Sequence, residues 1–148
     1  DEMKNTEGSP ETKGRVRRAQ YEMSQRRMMQ EVPNADVVIT NPTHYSVALK
    51  YDAEAGGAPV LLAKGIDEMA LHIRTIAKEH NVEVLASPAL ARSLYYTAEP
   101  NEEIPEQLFA AVAQILAFIF QLSAHKKGQA KRPKPVPKNL PIPDDFRY

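Results

Sequence analysis

The sequence predicts an α/β fold: a small central four-stranded mixed sheet flanked by about four helices, with a basic linker helix at its N-terminal side. Three observations predict it. Short β-branched or alternating runs occur at "ADVVIT", "YSVALKY", "PVLLAKG" and "VEVLAS". Stretches of helical period follow the third and the fourth of them. The strand–helix–strand–helix order from Pro59 onward implies at least one parallel, right-handed crossover. A chain of 148 residues with 43% hydrophobic content fits one domain of ordinary size with a real core.

Residues 1 to about 14 are polar, contain Gly8, Pro10 and Gly14, and read as a linker. Lys13 to Gln30 has helix formers, no internal Pro, and six Lys/Arg against one acid, Glu22. Its apolar residues (Val16, Met23, Met28, Met29) are sparse. The ordinary reading is a solvated basic helix; a position at an anionic membrane surface is the sharper alternative. Pro33 and Asn34 end it. Ala35 to Thr40 is the first strand and Tyr45 to Tyr51 the second. Asp52 to Ala58 is a loop. Pro59 to Gly65 is the third strand, with Pro59 tolerated at its start.

Asp67 and Glu68 open a helix and suit its positive end. Ile66, Met69, Ala70, Ile73, Ile76 and Ala77 form its apolar stripe, and Asn81 closes it. Val82 to Ser87 is the fourth strand. Pro88 suits the first turn of a short helix through Ala98. Pro105 starts the last helix, which runs to about Leu122. From about Ala124 the chain is Pro-rich and basic, extended or polyproline II, and either disordered or laid along the domain. Three regions result: linker and basic helix (1–31), globular domain (32–123) and Pro-rich tail (124–148).

Composition removes several functions. There is no Cys, so no disulfide, thiolate nucleophile or Cys-based zinc site. A formal net charge of zero argues against a general nucleic-acid binder. No signal peptide is visible, and the start at Asp1 suggests a fragment. The longest apolar run, Leu108 to Leu122, is interrupted by Gln114 and falls short of the roughly 20 residues that span a bilayer. It reads as a buried helix, apolar on nearly every side, packed on the sheet and against something else: a second helix, or a partner. His44, His72, His80 and His125 are scattered, with His72 and His80 off the apolar stripe of their helix. Without close ligand spacing, no metal and no cofactor are expected. No G-x-S-x-G supports a hydrolase triad. Gly65 in "AKGIDE" reads as a tight strand-to-helix turn, since Asp67 and Glu68 would repel a phosphate there.

One stretch asks for chemistry: "VVITNPTHYSVAL", Val37 to Leu49. Asn-Pro is a good turn former. A tight hairpin, however, usually carries Asn-Gly or Asp-Gly. Pro42 has no N–H, so the backbone attack that ordinarily deamidates asparagine is closed. The opposite attack remains open. The Asn41 side-chain nitrogen can attack its own main-chain carbonyl, form a succinimide and expel the Pro42 nitrogen. So weak a nucleophile needs enforced proximity and orientation, which a turn clamped between two strands supplies. Thr43 and His44 are placed to polarise or orient the site by hydrogen bonds.

"NPTH" after an apolar strand, followed by "YSVALKY" and "PVLLAKG", resembles the cytoplasmic domain of the type III secretion export-switch proteins, the FlhB/YscU family. "DEMKNTEGSPETKGRVR" resembles the family's segment just after its last membrane helix. "YSVALKYD" and "NLPIP" look like the flagellar branch. The likeness runs from residue 1 to about Leu122, with no departure inside the motif. It implies a membrane-anchored parent at the cytoplasmic face of the bacterial inner membrane, in the flagellar basal body. It implies cleavage between Asn41 and Pro42, with both pieces staying associated. It also implies a switch of export from rod and hook substrates to filament substrates. The implied partners are the export-gate membrane proteins, the export ATPase complex, a hook-length ruler protein and the secreted substrates. A small apolar docking patch for early substrates would comprise Ala58, Pro59, Ala113 and Leu116. Such a cut is intramolecular and single-turnover, not enzymatic in trans. An uncleaved α/β docking module is the competing reading.

Overall fold

The computed structural model describes residues 9–148, so the first part of the expected linker lies outside the described residues. Helix α1 (Pro10–Glu31) starts earlier than Lys13. Ser9 accepts the Thr12 N–H and Pro10 fills the first turn, a start signal already present in "SPET". Most of α1 is exposed, including Val16, Tyr21 and Met23. Its last turn is not solvated as expected. Met28 and Met29 are buried, as is Val32 in the 3-10 turn Val32–Asn34 that follows.

Strands β1 (Val37–Asn41), β2 (Tyr45–Lys50), β3 (Val60–Ile66) and β4 (Glu83–Ala86) form one mixed sheet in the order β3-β2-β1-β4. β1 pairs antiparallel with β2 and parallel with β4, while β2 pairs antiparallel with β3. β3 and β4 therefore run the same way at opposite edges. Helix α2 (Asp67–Glu79) joins them as a crossover that passes two strands. A bulge between Ala48 and Leu49 interrupts the β2/β3 register, and consecutive Leu62 and Ala63 pack into the same layer.

Both faces of the sheet are covered. Val37, Ile39, Val47, Leu49 and Leu61 meet Leu90 and Leu94 of helix α3 (Pro88–Thr97) and Ile115 of helix α4 (Phe109–Lys126). Val38, Ala48, Leu62 and Ala63 meet Ile73 and Ala77 of α2 and the Met28, Met29 and Val32 anchor. Period-two alternation thus sends neighbours on β1 into two different cores.

Three local expectations change. Ile66 is not part of the α2 stripe; it ends β3 and is 45% exposed. Gly65 lies inside β3, where a Cβ would come within 2.7 Å of Met69 Cβ, so α2 approaches the strand more closely than any side chain permits. The last helix continues past Leu122 to Lys126. With its preceding 3-10 turn, Glu106–Lys126 has the length of a membrane-crossing helix and contains an 18-residue window of mean hydropathy 1.7. One face of it is nevertheless core, with Ala111, Val112, Ile115, Leu116 and Ile119 buried. The Pro-rich tail lies along the domain. Leu140 and Ile142 are buried in the α3/α4 core, Ser93 Oγ donates to the Phe146 carbonyl, and Arg92 Nε donates to that of Tyr148.

Gly65→Ala should cost about 1–3 kcal/mol through overpacking against Met69. Thermal unfolding followed by circular dichroism would read this as a lower midpoint; an unchanged midpoint would show that α2 retreats freely.

Candidate functional site

Asn41 ends β1 and pairs with Tyr45 at the start of β2, leaving Pro42, Thr43 and His44 as a three-residue loop. The loop length explains the absence of Asn-Gly, which serves two-residue turns. The His44 N–H donates to the Asn41 carbonyl at 2.8 Å, closing a β-turn with Pro42 in its second position. Neither Thr43 nor His44 is among the described residues with positive φ. The turn is therefore of type I, which Pro42 pre-sets and which suits β-branched Thr43.

The scissile-bond candidate sits at the seam between order and exposure. Val37, Val38 and Ile39 are fully buried, Thr40 nearly so, Asn41 partly, and Pro42 to His44 are exposed. The Thr40 carbonyl accepts the Ser87 N–H at 2.9 Å, tying the strand end to the start of α3. His44 is held from the first residue of α2. Its carbonyl accepts the Asp67 N–H at 3.0 Å, and its Nδ1 lies 3.3 Å from Asp67 Oδ1. Asp67 has φ 48, a left-handed conformation uncommon outside glycine. Sequence reading saw Asp67 only as a helix-opening acid. Register could have found it, because antiparallel pairing of the second and third strands brings position 67 beside position 44.

Tyrosines flank the turn. Tyr45 and Tyr96 share a hydrogen bond of 2.7 Å between hydroxyls, and the Tyr45, Tyr95 and Tyr96 rings meet edge to face. Tyr96 also contacts Tyr148 in the tail, at 5.0 Å between centroids. The bond to Tyr96 and the loss of water around the ring push the Tyr45 phenol above its ordinary pKa. Burial does the same to Tyr95.

A second feature lies at the far end of β2 and β3. Ala58, Pro59, Ala113 and Leu116 line one groove of about 560 Å³ with Tyr51, Phe109 and Phe120. Phe109 and Phe120 are 40% and 44% exposed, so this is the face of α4 that neither sheet nor tail covers. The acidic side chain at its rim is Glu103, whose Oε2 accepts the Ala58 N–H at 3.4 Å.

The fold is similar to the cytoplasmic domain of FlhB from Shewanella putrefaciens. That likeness has a TM-score of 0.79 at 52% identity, covering 84% of this chain and 95% of that one. The C-terminal domain of EscU is also similar, at a TM-score of 0.58 and 29% identity, covering 61% of this chain and 89% of that one. EscU structures exist with an Asn replaced by Asp or Ala and with the adjacent Pro replaced by Ala. The flagellar biosynthetic protein FlhB of Salmonella typhimurium is 51% identical over 148 residues, all of this chain and 38% of that protein. FlhB of Bacillus subtilis is 52% identical over 121 residues, 82% of this chain and 34% of that one. The chain thus spans just over a third of the length of these relatives. The sheet and its helical cover match the fold of the FlhB cytoplasmic domain. Residues 1–119 match the model of the FlhB HrpN YscU SpaS family, and the chain belongs to that family.

Because the Tyr96 hydroxyl raises the Tyr45 pKa, Tyr96→Phe should bring the Tyr45 titration back toward the ordinary tyrosine value near 10. A phenol with a raised folded pKa contributes stability below its unfolded pKa and loses it as pH rises through the folded value. The wild type should therefore lose its stability advantage over Tyr96→Phe only at alkaline pH. Tyrosine ring-carbon NMR shifts across an alkaline series would test the first point, and thermal unfolding of both proteins across the same series the second.

Proposed function

We propose that this domain cuts its own chain between Asn41 and Pro42 by asparagine cyclisation, and that the cut switches a flagellar export gate from rod and hook substrates to filament substrates. The observation that carries the reading is the 2.8 Å bond from the His44 N–H to the Asn41 carbonyl oxygen. Attack by Asn41 Nδ2 on the Asn41 carbonyl carbon puts negative charge on that oxygen. A donor already in place stabilises the charge as it develops. The tetrahedral intermediate collapses by breaking the C–N bond to Pro42. The Pro42 nitrogen takes a proton and leaves as a secondary amine, and residue 41 is left as a succinimide that water opens. Solvent hydroxide suffices to remove the amide proton, so no protein base is required. The reaction is intramolecular and happens once per chain.

The pieces would stay together for physical reasons. Residues 1–41 carry Met28, Met29, Val32, Val37, Val38 and Ile39, all buried. Each such side chain contributes about 1.5–3 kcal/mol when fully removed from water. The β1 ladders to β2 and β4 do not use the Asn41–Pro42 bond. Cutting it frees Pro42 and Thr43 without unfolding the sheet.

The proposal assigns the domain to the cytoplasmic face of the bacterial inner membrane in the flagellar basal body. Its partners there would be export-gate membrane proteins, the export ATPase complex, a hook-length ruler protein and the secreted substrates. The groove at Ala58, Pro59, Ala113 and Leu116 would dock early substrates through apolar anchors. The same groove supports the second reading, an uncleaved docking module.

Denaturing electrophoresis with intact-mass analysis separates the two: the wild type should yield residues 1–41 and 42–148, while Asn41→Ala stays whole and folded. A wild-type chain that remains intact on long incubation leaves only the docking module. Independently, Ala113→Glu should weaken capture of a purified hook-cap or rod substrate about tenfold or more and leave cleavage unchanged, because it buries an unpaired charge in the groove. Equal capture by wild type and variant would remove the groove from the proposal.

A further inference from the structure

We infer that Asp67 is a positioning residue for the scission proposed above: it holds His44 so that the His44 N–H stays on the Asn41 carbonyl oxygen. The inference rests on the cleavage reading.

A three-residue hairpin loop ordinarily relaxes by placing its last residue in the left-handed region, usually with glycine there. His44 occupies that place and does not adopt it. Something else must fix its conformation. Asp67 grips it at two points, through its backbone N–H on the His44 carbonyl (3.0 Å) and its carboxylate beside the His44 ring (3.3 Å). With carbonyl and side chain both fixed, the remaining backbone group of His44, its N–H, is aimed. It is aimed at the one oxygen that gains charge in the reaction.

The left-handed conformation appears at Asp67 instead, at φ 48. Asp and Asn tolerate it better than other residues with side chains. That residue stands immediately after Ile66, which pairs with Tyr45, so the grip on His44 continues the β2/β3 ladder by one step. The close approach of Met69 to Gly65 keeps the start of α2 against the strand. Asp67 touches none of the reacting atoms; it acts through His44. Its pair with His44 is about two-thirds exposed, so its effect is modest beside loss of the oxyanion donor itself.

The test is a double-mutant cycle on the rate of cleavage after synthesis, followed by pulse-chase in the full chain. Asp67→Gly accepts the left-handed backbone and loses the carboxylate; it should slow cleavage about three- to tenfold. Asp67→Asn keeps both the conformation and a polar side chain, and should slow it less. In a His44→Ala background neither change should slow cleavage further, because the carboxylate has lost the ring through which it acts. A merely structural Asp67 would show the same penalty in both backgrounds, and that result would overturn the inference, as would wild-type rates for Asp67→Gly. Should Asp67→Gly lose its fold by circular dichroism, the Asp67→Asn cycle decides alone by the same criterion. If the wild type is never cut, the cleavage reading itself falls; if it is cut and Asp67→Gly matches it, only the role of Asp67 does.

Discussion

Strand β1 is the constraint on which the domain depends. It is hydrogen-bonded along both edges, to β2 and to β4, and buried on both faces. Val38 enters one core and its neighbours Val37 and Ile39 the other. A strand so placed cannot be withdrawn without opening both layers, and it needs no covalent link at its C-terminal end to stay where it is. Asn41 is where this confinement stops. One peptide unit further on, the chain is in water. A bond at that boundary can be rigid on its acyl side and free on its amine side, which is the asymmetry a leaving group requires.

Much of the fold was legible because patterning and punctuation agreed. The apolar runs gave all four strands in order, and Pro33, Asn81, Pro88 and Pro105 marked ends and starts that the structure respects to within a few residues. Readings failed where a residue's surroundings are set by something distant in sequence. Met28 and Met29 look too sparse to anchor a helix, yet two side chains and Val32 suffice once α2 and β3 provide the other wall. Ile66 fits a helical stripe by spacing alone, but ladder pairing with Tyr45 claims it for β3. The tail's prolines identify an extended chain without saying where it rests. Its landing site on α3 is made by Arg92 and the buried Ser93.

The site divides the same way. Asn41 and Pro42 announce themselves, since the cyclisation proposed for them is read from two adjacent residues. His44 is visible by proximity, though its backbone N–H rather than its ring meets the Asn41 carbonyl. Asp67 is invisible to local reading, because its relation to the turn exists only after β2 and β3 have paired. The groove near Pro59 depends likewise on a loop and on a helix some fifty residues further along the chain, brought together by the sheet between them.

The bulge opposite Ala48 and Leu49 reaches further than its size suggests. A strand alternates sides with every residue, so one supernumerary residue inverts the parity of everything beyond it. In β3 that inversion turns Lys64 toward α3, where its ammonium reaches the Tyr95 carbonyl and lies over the Tyr95 ring. It turns Gly65 toward α2, the side on which a helix comes too close for a side chain. With the opposite parity the lysine would face Met69 and the glycine would face the tyrosines. A single odd residue thus decides which side of the sheet receives Lys64 and which receives Gly65, and so keeps α2 close to the strand that ends beside the turn.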